Sequence, residues 1–185
     1  MLNHFLQTYA DYERRIACLK AISSTSNIDY YKKDYAELKT GLVEQLITII
    51  RSAREQPLDM RELSFNILSY LCRESRGNQK EFRRKGGIEL LKENLGYSDV
   101  DHSGNPTTFL LSVLDCLSSA VFGNKRSEIH FLDIEGVYVL LDLIETCEES
   151  LKRVSLASLC TILENSKSFQ YFIEWNSTRT SLNAT

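Results

Sequence analysis

The stretch of this chain closest to a ligand site is Asp99-Val100-Asp101-His102-Ser103-Gly104-Asn105. It has the opening of a calcium loop, with oxygen ligands at positions one, three and five and glycine at six. The twelfth position should supply a bidentate glutamate, and it is Leu110. Lacking that ligand, and running into a helix expected to start near Pro106, the segment reads as a polar surface loop that lengthens one repeat. The histidines His4, His102 and His130 are far apart, and none pairs at i, i+4 with another histidine or a cysteine, so zinc chemistry has no support. Cys18, Cys72, Cys116, Cys147 and Cys160 form no Cys-x-x-Cys pair and mostly occupy apolar helical positions, which suits small core residues in a reducing compartment. No nucleophile elbow, phosphate-cradling loop or dinucleotide fingerprint occurs. The expectation is a chain with no catalytic residues, no metal and no cofactor.

Charge narrows the partners. Arg83-Arg84-Lys85 and Lys32-Lys33 are the densest basic clusters, and either could dock an acidic tail such as that of tubulin. More commonly such runs are solvated helix faces. Tyr30-Tyr31 and the aromatic group from Phe169 to Trp175 are candidate interface anchors, the second better explained as packing on a following repeat. A formal net charge of -3 argues against nucleic acid, which needs a cationic excess to displace counterions. The longest apolar stretch, from Gly136 to Ile144, contains Asp142 and is too short to span a bilayer. The first residues lack the basic start and apolar run of a signal peptide, so a cytoplasmic chain is expected, and the sequons at Asn176 and Asn183 carry no weight.

The elements that must carry these residues are announced by a glycine opening an apolar helix three times, at Gly41, Gly86-Gly87 and Gly136, with intervals of 46 and 49 residues. A second landmark follows in step, at Leu68-Ser69-Tyr70-Leu71, Leu111-Ser112-Val113-Leu114 and Leu156-Ala157-Ser158-Leu159, with intervals of 43 and 45. Two markers recurring in one order predict an all-α, armadillo/HEAT-like right-handed helical solenoid of about three repeats plus terminal half-repeats. The division expected is a half-repeat over 1–23, repeats over 28–73, 78–123 and 124–165, and a truncated repeat over 166–185, so that the chain looks like part of a longer protein. Helices are expected at Asn3 to Ile22 (apolar stripe Phe5, Tyr9, Tyr12, Ile16, Leu19), then Asn78 to Arg84, Ile88 to Asn94 and Thr107 to Phe122. The last repeat should hold Lys125 to Leu132, Val137 to Thr146 and Ser150 to Asn165, and Asn165 to Phe169 echoes the spacing of Asn78 to Phe82. Pro57 and Pro106 mark helix entries. Each glycine should supply a positive φ or room for close backbone approach where two helices meet sharply.

Such a stack offers a long curved surface instead of an enclosed pocket, which makes binding its default function. With third helices lining the concave face, the register points Asn66 and Tyr70, Phe109 and Val113, and Val154 and Ser158 into it; with Arg83, Arg84 and Lys85 these are the candidate partner-binding residues. The architecture resembles importins and catenins, whose peptide-binding ladder of tryptophan and asparagine is matched here by Asn66 alone. Docking of a protein surface is therefore favoured over capture of an extended peptide in this groove.

The segment Phe131-Leu132-Asp133-Ile134-Glu135-Gly136-Val137-Tyr138-Val139-Leu140-Leu141-Asp142 is supported by Ile67 to Glu74, by Lys80-Glu81-Phe82 ahead of Gly87, and by the Leu111 to Cys116 helix. On these residues the chain resembles the C-terminal armadillo region of the cilia- and flagella-associated protein 69 family. The resemblance implies a non-enzymatic component of the motile-cilium axoneme, in the central apparatus, with other axonemal proteins as partners. It also implies a family chain that continues past Thr185, and a counterpart of similar length but different residues for the Tyr97 to Asn105 loop. The alternative is a cytoplasmic armadillo adaptor that binds its partners reversibly, in a manner sensitive to salt.

Overall fold

The computed structural model describes residues 41–52, 58–96 and 106–174, together with 14, 16–21 and 24. Its helices are α1 (Leu42–Ser52), α2 (Leu58–Cys72), α3 (Arg76–Arg84), α4 (Gly87–Leu95), α5 (Pro106–Ala120), α6 (Lys125–Asp133), α7 (Gly136–Thr146), α8 (Glu149–Leu163) and α9 (Phe169–Glu174), with a 3-10 turn at Ser166–Ser168. Among the described residues there is no strand. Every expected helix from Asn78 onward is present, with ends displaced by three residues or fewer. The fold is the expected all-α, armadillo-like one: short first helices (α3, α6), second helices (α1, α4, α7) and longer third helices (α2, α5, α8) recur in order.

Local chemistry starts and stops these helices. Pro106 opens α5, where a missing N–H costs no hydrogen bond. Ser75 caps α3 by accepting from the Asn78 N–H, and Asn165 caps the 3-10 turn by accepting from Lys167. Gly123 adopts a φ of 73° between α5 and α6, in the left-handed region that favours glycine.

At the junctions of first and second helices the structure separates two roles that the sequence left merged. Positive φ occurs at Gly41, Gly86 and Glu135, whereas Gly87 and Gly136 already belong to the following helices. Their lack of a Cβ answers a different need. A Cβ on Gly87 would come within 2.5 Å of the Phe82 ring, and one on Gly136 within 2.3 Å of the Phe131 ring. Each phenylalanine lies five residues upstream and is fully buried, so the aromatic of the first helix packs against bare backbone at the start of the second. In the third repeat the left-handed position is therefore Glu135 and the close approach is at Gly136.

One hydrophobic core runs the length of the stack, from Ile16 and Leu19 through Leu46, Ile47, Phe65, Phe82, Phe109, Phe131 and Leu140 to Ile162. Ile16 and Leu19 are the buried members of the expected N-terminal stripe; Phe5, Tyr9 and Tyr12 lie outside the described residues. So do Tyr30-Tyr31, Lys32-Lys33, Pro57, the Asp99 to Asn105 loop and residues 175–185. Cys72 and Cys116 are core residues as expected, whereas Cys147 is half-buried and Cys18 and Cys160 are exposed, so two of the five cysteines, not most of them, are in the core. At the final turn, the caps Ser75, Asn124 and Asn165 are each followed after the same interval by Phe82, Phe131 and Phe172, so Phe172, not Phe169, takes the repeat's aromatic position. Phe169 is 66% exposed while Phe172 packs on the core.

Candidate interaction surface

Third helices pack side by side. Between α2 and α5 the seam is closed by the Phe65 and Phe109 rings, edge to face at 5.9 Å. A polar row lies above them: Thr108 Oγ1 donates to Glu62 at 3.0 Å, the Ser69 and Ser119 hydroxyls meet at 2.9 Å, and Ser69 also bonds the Asp115 carboxylate. Between α5 and α8 the helices splay and leave an open groove of about 370 Å³, lined by Leu111, Asp115, Ser118 and Phe122 on one wall and Val154, Ala157, Ser158 and Thr161 on the other. The groove continues across Asp115, Ser118 and Phe122 into a polar trough of about 520 Å³ that reaches Arg73, Arg76 and Gln79. An apolar floor opening onto charged residues is the composition of a protein-docking surface with a polar rim.

The expected groove residues divide by repeat. Val154 and Ser158 line the groove. Asn66 and Tyr70 are half-buried on α2, with the Arg73 guanidinium 5.5 Å from the Tyr70 ring centre. Phe109 and Val113 are corrected: both are in the core, at 1% and 0% exposure. The Phe109 ring packs against Phe65 and lies 4.7 Å beneath the guanidinium of the buried Arg61, which also bonds Asn94. The side of α5 that faces outward is the one carrying Leu111, Asp115 and Ser118, continued by Phe122 in the turn that follows, residues that sequence reasoning missed. The signal was available, since the spacings of four and three residues from Leu111 to Asp115 to Ser118 mark a single helical face. The Leu-small-x-Leu alignment set that face in register with the wrong residues.

The basic run is largely used in joining repeats. Arg83 donates to the Ser127 hydroxyl at 3.2 Å and Lys85 pairs with Glu44 at 2.8 Å, leaving Arg84 exposed. A comparable bridge joins His130 to Glu89 at 2.9 Å, and Arg51 donates to the Gly86 carbonyl at 3.1 Å. Along the opposite edge, Gln79 donates to the carbonyls of Cys72 and Ser119 while accepting from the Asn124 amide at 3.0 Å; one repeat further on, Glu128 accepts from the Asn165 amide at 3.3 Å. The cap residue of each of these repeats thus donates to the residue four places after the preceding cap.

Two thiols of the core are held in their neutral form. Burial, with a smaller contribution from Glu81, pushes the Cys72 thiol far above its ordinary value, and burial does the same at Cys116. Among the described residues no group of three or more histidine, cysteine or carboxylate side chains is placed to hold a metal, and no helix is long and apolar enough to cross a membrane.

A family model described as cilia- and flagella-associated protein 69, ARM repeat, matches residues 8–185. The chain is similar to cilia- and flagella-associated protein 69 of Mus musculus and of Homo sapiens, in each case 25% identical over 162 residues that cover 77% of this chain and 16% of the relative. The Callithrix jacchus protein of the same name is 24% identical over 163 residues, covering 82% of this chain. The chain therefore spans about a sixth of the length of the curated relatives it matches. With 178 of its residues matched by one family's armadillo-repeat model, the chain belongs to the cilia- and flagella-associated protein 69 armadillo-repeat family.

Proposed function

We propose that the chain is a non-catalytic scaffold segment that binds other proteins in the axoneme of motile cilia and flagella, as a component of the central apparatus. The observation that carries this reading is the groove between α5 and α8, where Leu111, Phe122 and Val154 are half-buried among small polar side chains. Its partners are other axonemal proteins, with neither nucleic acid nor membrane required. The division into repeats over 28–73, 78–123 and 124–165, with partial repeats over 1–23 and 166–185, belongs to the same proposal. Asn66, Tyr70, Val154 and Ser158 remain proposed contact residues, joined now by Leu111, Asp115 and Phe122, while Arg84 is the member of the basic run left to meet a partner.

Fractionation of the tagged full-length protein from ciliated cells tests the proposal: membranes are stripped with detergent and the salt is raised. Retention with the axoneme, lost when Leu111→Asp and Val154→Asp are introduced together, is the expected result. Release of the unmodified protein into the soluble pool, or its absence from cilia, would favour the cytoplasmic adaptor.

A further inference from the structure

A second surface lies along the edge where third helices turn into first helices. Just after the caps Ser75, Asn124 and Asn165 stand Arg76, then Lys125 and Arg126, then Lys167, and all four are exposed. Arg73, exposed at the end of α2, joins the row. Cations at these positions work against the helices they begin, because a helix N-terminus is electrically positive and sequences ordinarily place acidic residues there. In α3 no acidic residue occupies the first turn. In α6 the first-turn Glu128 accepts from the Gly123 N–H at 2.8 Å and from Asn165, so its charge is committed inside the structure. Asp115 is likewise engaged by Ser69 and by Arg73 at 3.5 Å. Asp115 is nonetheless exposed, as are Glu74 and Glu164, which stand at the turns, before the caps. An exposed cation within two residues of the cap at three successive junctions, opening an α-helix at the first two and standing in the 3-10 turn at the third, in a chain whose net charge is -3, marks a site whose compensation comes from outside the fold.

We infer that this edge docks an acidic, extended polypeptide segment whose carboxylates meet Arg76, Lys125 with Arg126, and Lys167 in turn. Packed helices lie about 10 Å apart and an extended chain advances about 3.3 Å per residue, so the matching segment carries an acidic residue at about every third position. The inference adds a surface to the proposed scaffold and does not use the groove between α5 and α8.

Fluorescence anisotropy at low salt tests it, with a labelled peptide carrying glutamate at every third position in a serine and glycine background. Two controls are a peptide of the same composition with its glutamates consecutive and a single-stranded RNA of equal charge. The spaced peptide is expected to bind several-fold more tightly than the consecutive one, with affinity falling as salt rises. The variant R76Q/K125Q/R126Q/K167Q should lose about tenfold in affinity, while K20Q/K80Q, which removes two exposed cations away from this row, should bind as the parent does. K125Q/R126Q, with a smaller expected loss, carries the test if the four-site chain does not fold. L111D should leave peptide binding unchanged, so failure of the groove and failure of this edge are distinguishable. Absence of binding by the parent chain, an equal loss in K20Q/K80Q, no preference for the spaced peptide, or tighter binding of the RNA would each overturn the inference.

Discussion

The sharpest consequences at the residue scale concern Gly136 and Glu135, neighbours with opposite constraints. Gly136→Ala places a methyl group against the fully buried Phe131 ring, which has nowhere to move, and should destabilise the chain by about 1–3 kcal/mol in urea unfolding. Adding Phe131→Leu should recover part of that loss, which a backbone-freedom explanation does not predict. Glu135 adopts a φ of 60°, a conformation that disfavours a side chain, so Glu135→Gly should stabilise by up to about 1 kcal/mol, after the larger unfolded-state entropy of glycine is counted. An unchanged midpoint in both variants would contradict this division of roles. Ser155 poses a separate question: its hydroxyl is buried on α8 without a hydrogen-bond partner among the described residues. Ser155→Ala should therefore raise stability by roughly 1 kcal/mol, read as a higher thermal midpoint.

At the scale of elements, the repeats are joined by more than apolar contact. Gln79 satisfies the last carbonyl of α2 and one near the end of α5 while holding the cap residue of α6. It therefore acts as a pin through the ends of three helices. Gln79→Leu keeps much of its volume but leaves those polar groups without their partner, and should cost roughly 3 kcal/mol as three bonds of about 1 kcal/mol each are lost. Its distinguishing signature is position: amide exchange should accelerate at the C-terminal turns of α2 and α5 more than in α7. Uniform acceleration would mean that the pin has no local effect. The helices themselves were legible in the sequence because Pro106, the cap residues and the apolar spacing are local signals. The outward side of α5 was harder to read, because nearly all its apolar positions suit a core and only neighbouring helices decide which are covered.

Across the whole molecule, each repeat leans on the next, so stability is a sum of repeat and interface contributions. The closely packed α2 and α5 seam, with Phe65, Phe109 and the buried Arg61, should hold the slowest-exchanging amides. The splayed α8 and the last turns, where Leu163, Phe169 and Ile173 remain exposed, should exchange faster. An inverted order would show that the weak joint lies elsewhere. A partner filling the groove between α5 and α8 should slow exchange in α8 selectively, which gives the proposed binding surface a readout independent of cell fractionation.

By itself the sequence determined that the chain is all-helical, roughly where each helix from Asn78 onward begins and ends, and that a glycine must stand near each sharp junction. It also carried the family resemblance, because repeat-defining residues such as Phe131, Gly136 and Leu140 keep fixed spacings along the chain. These features are local: a cap, a proline or a helical period acts within a turn or two of itself. The tertiary structure alone decided that Phe109 and Val113 are buried while Leu111 and Phe122 line a groove, that Arg83 and Lys85 join repeats, and that Arg76, Lys125, Arg126 and Lys167 fall on one edge. Each of those facts depends on how one repeat is rotated against the next, an angle fixed by side chains more than forty residues apart, such as Phe65 against Phe109 and Ser69 against Asp115.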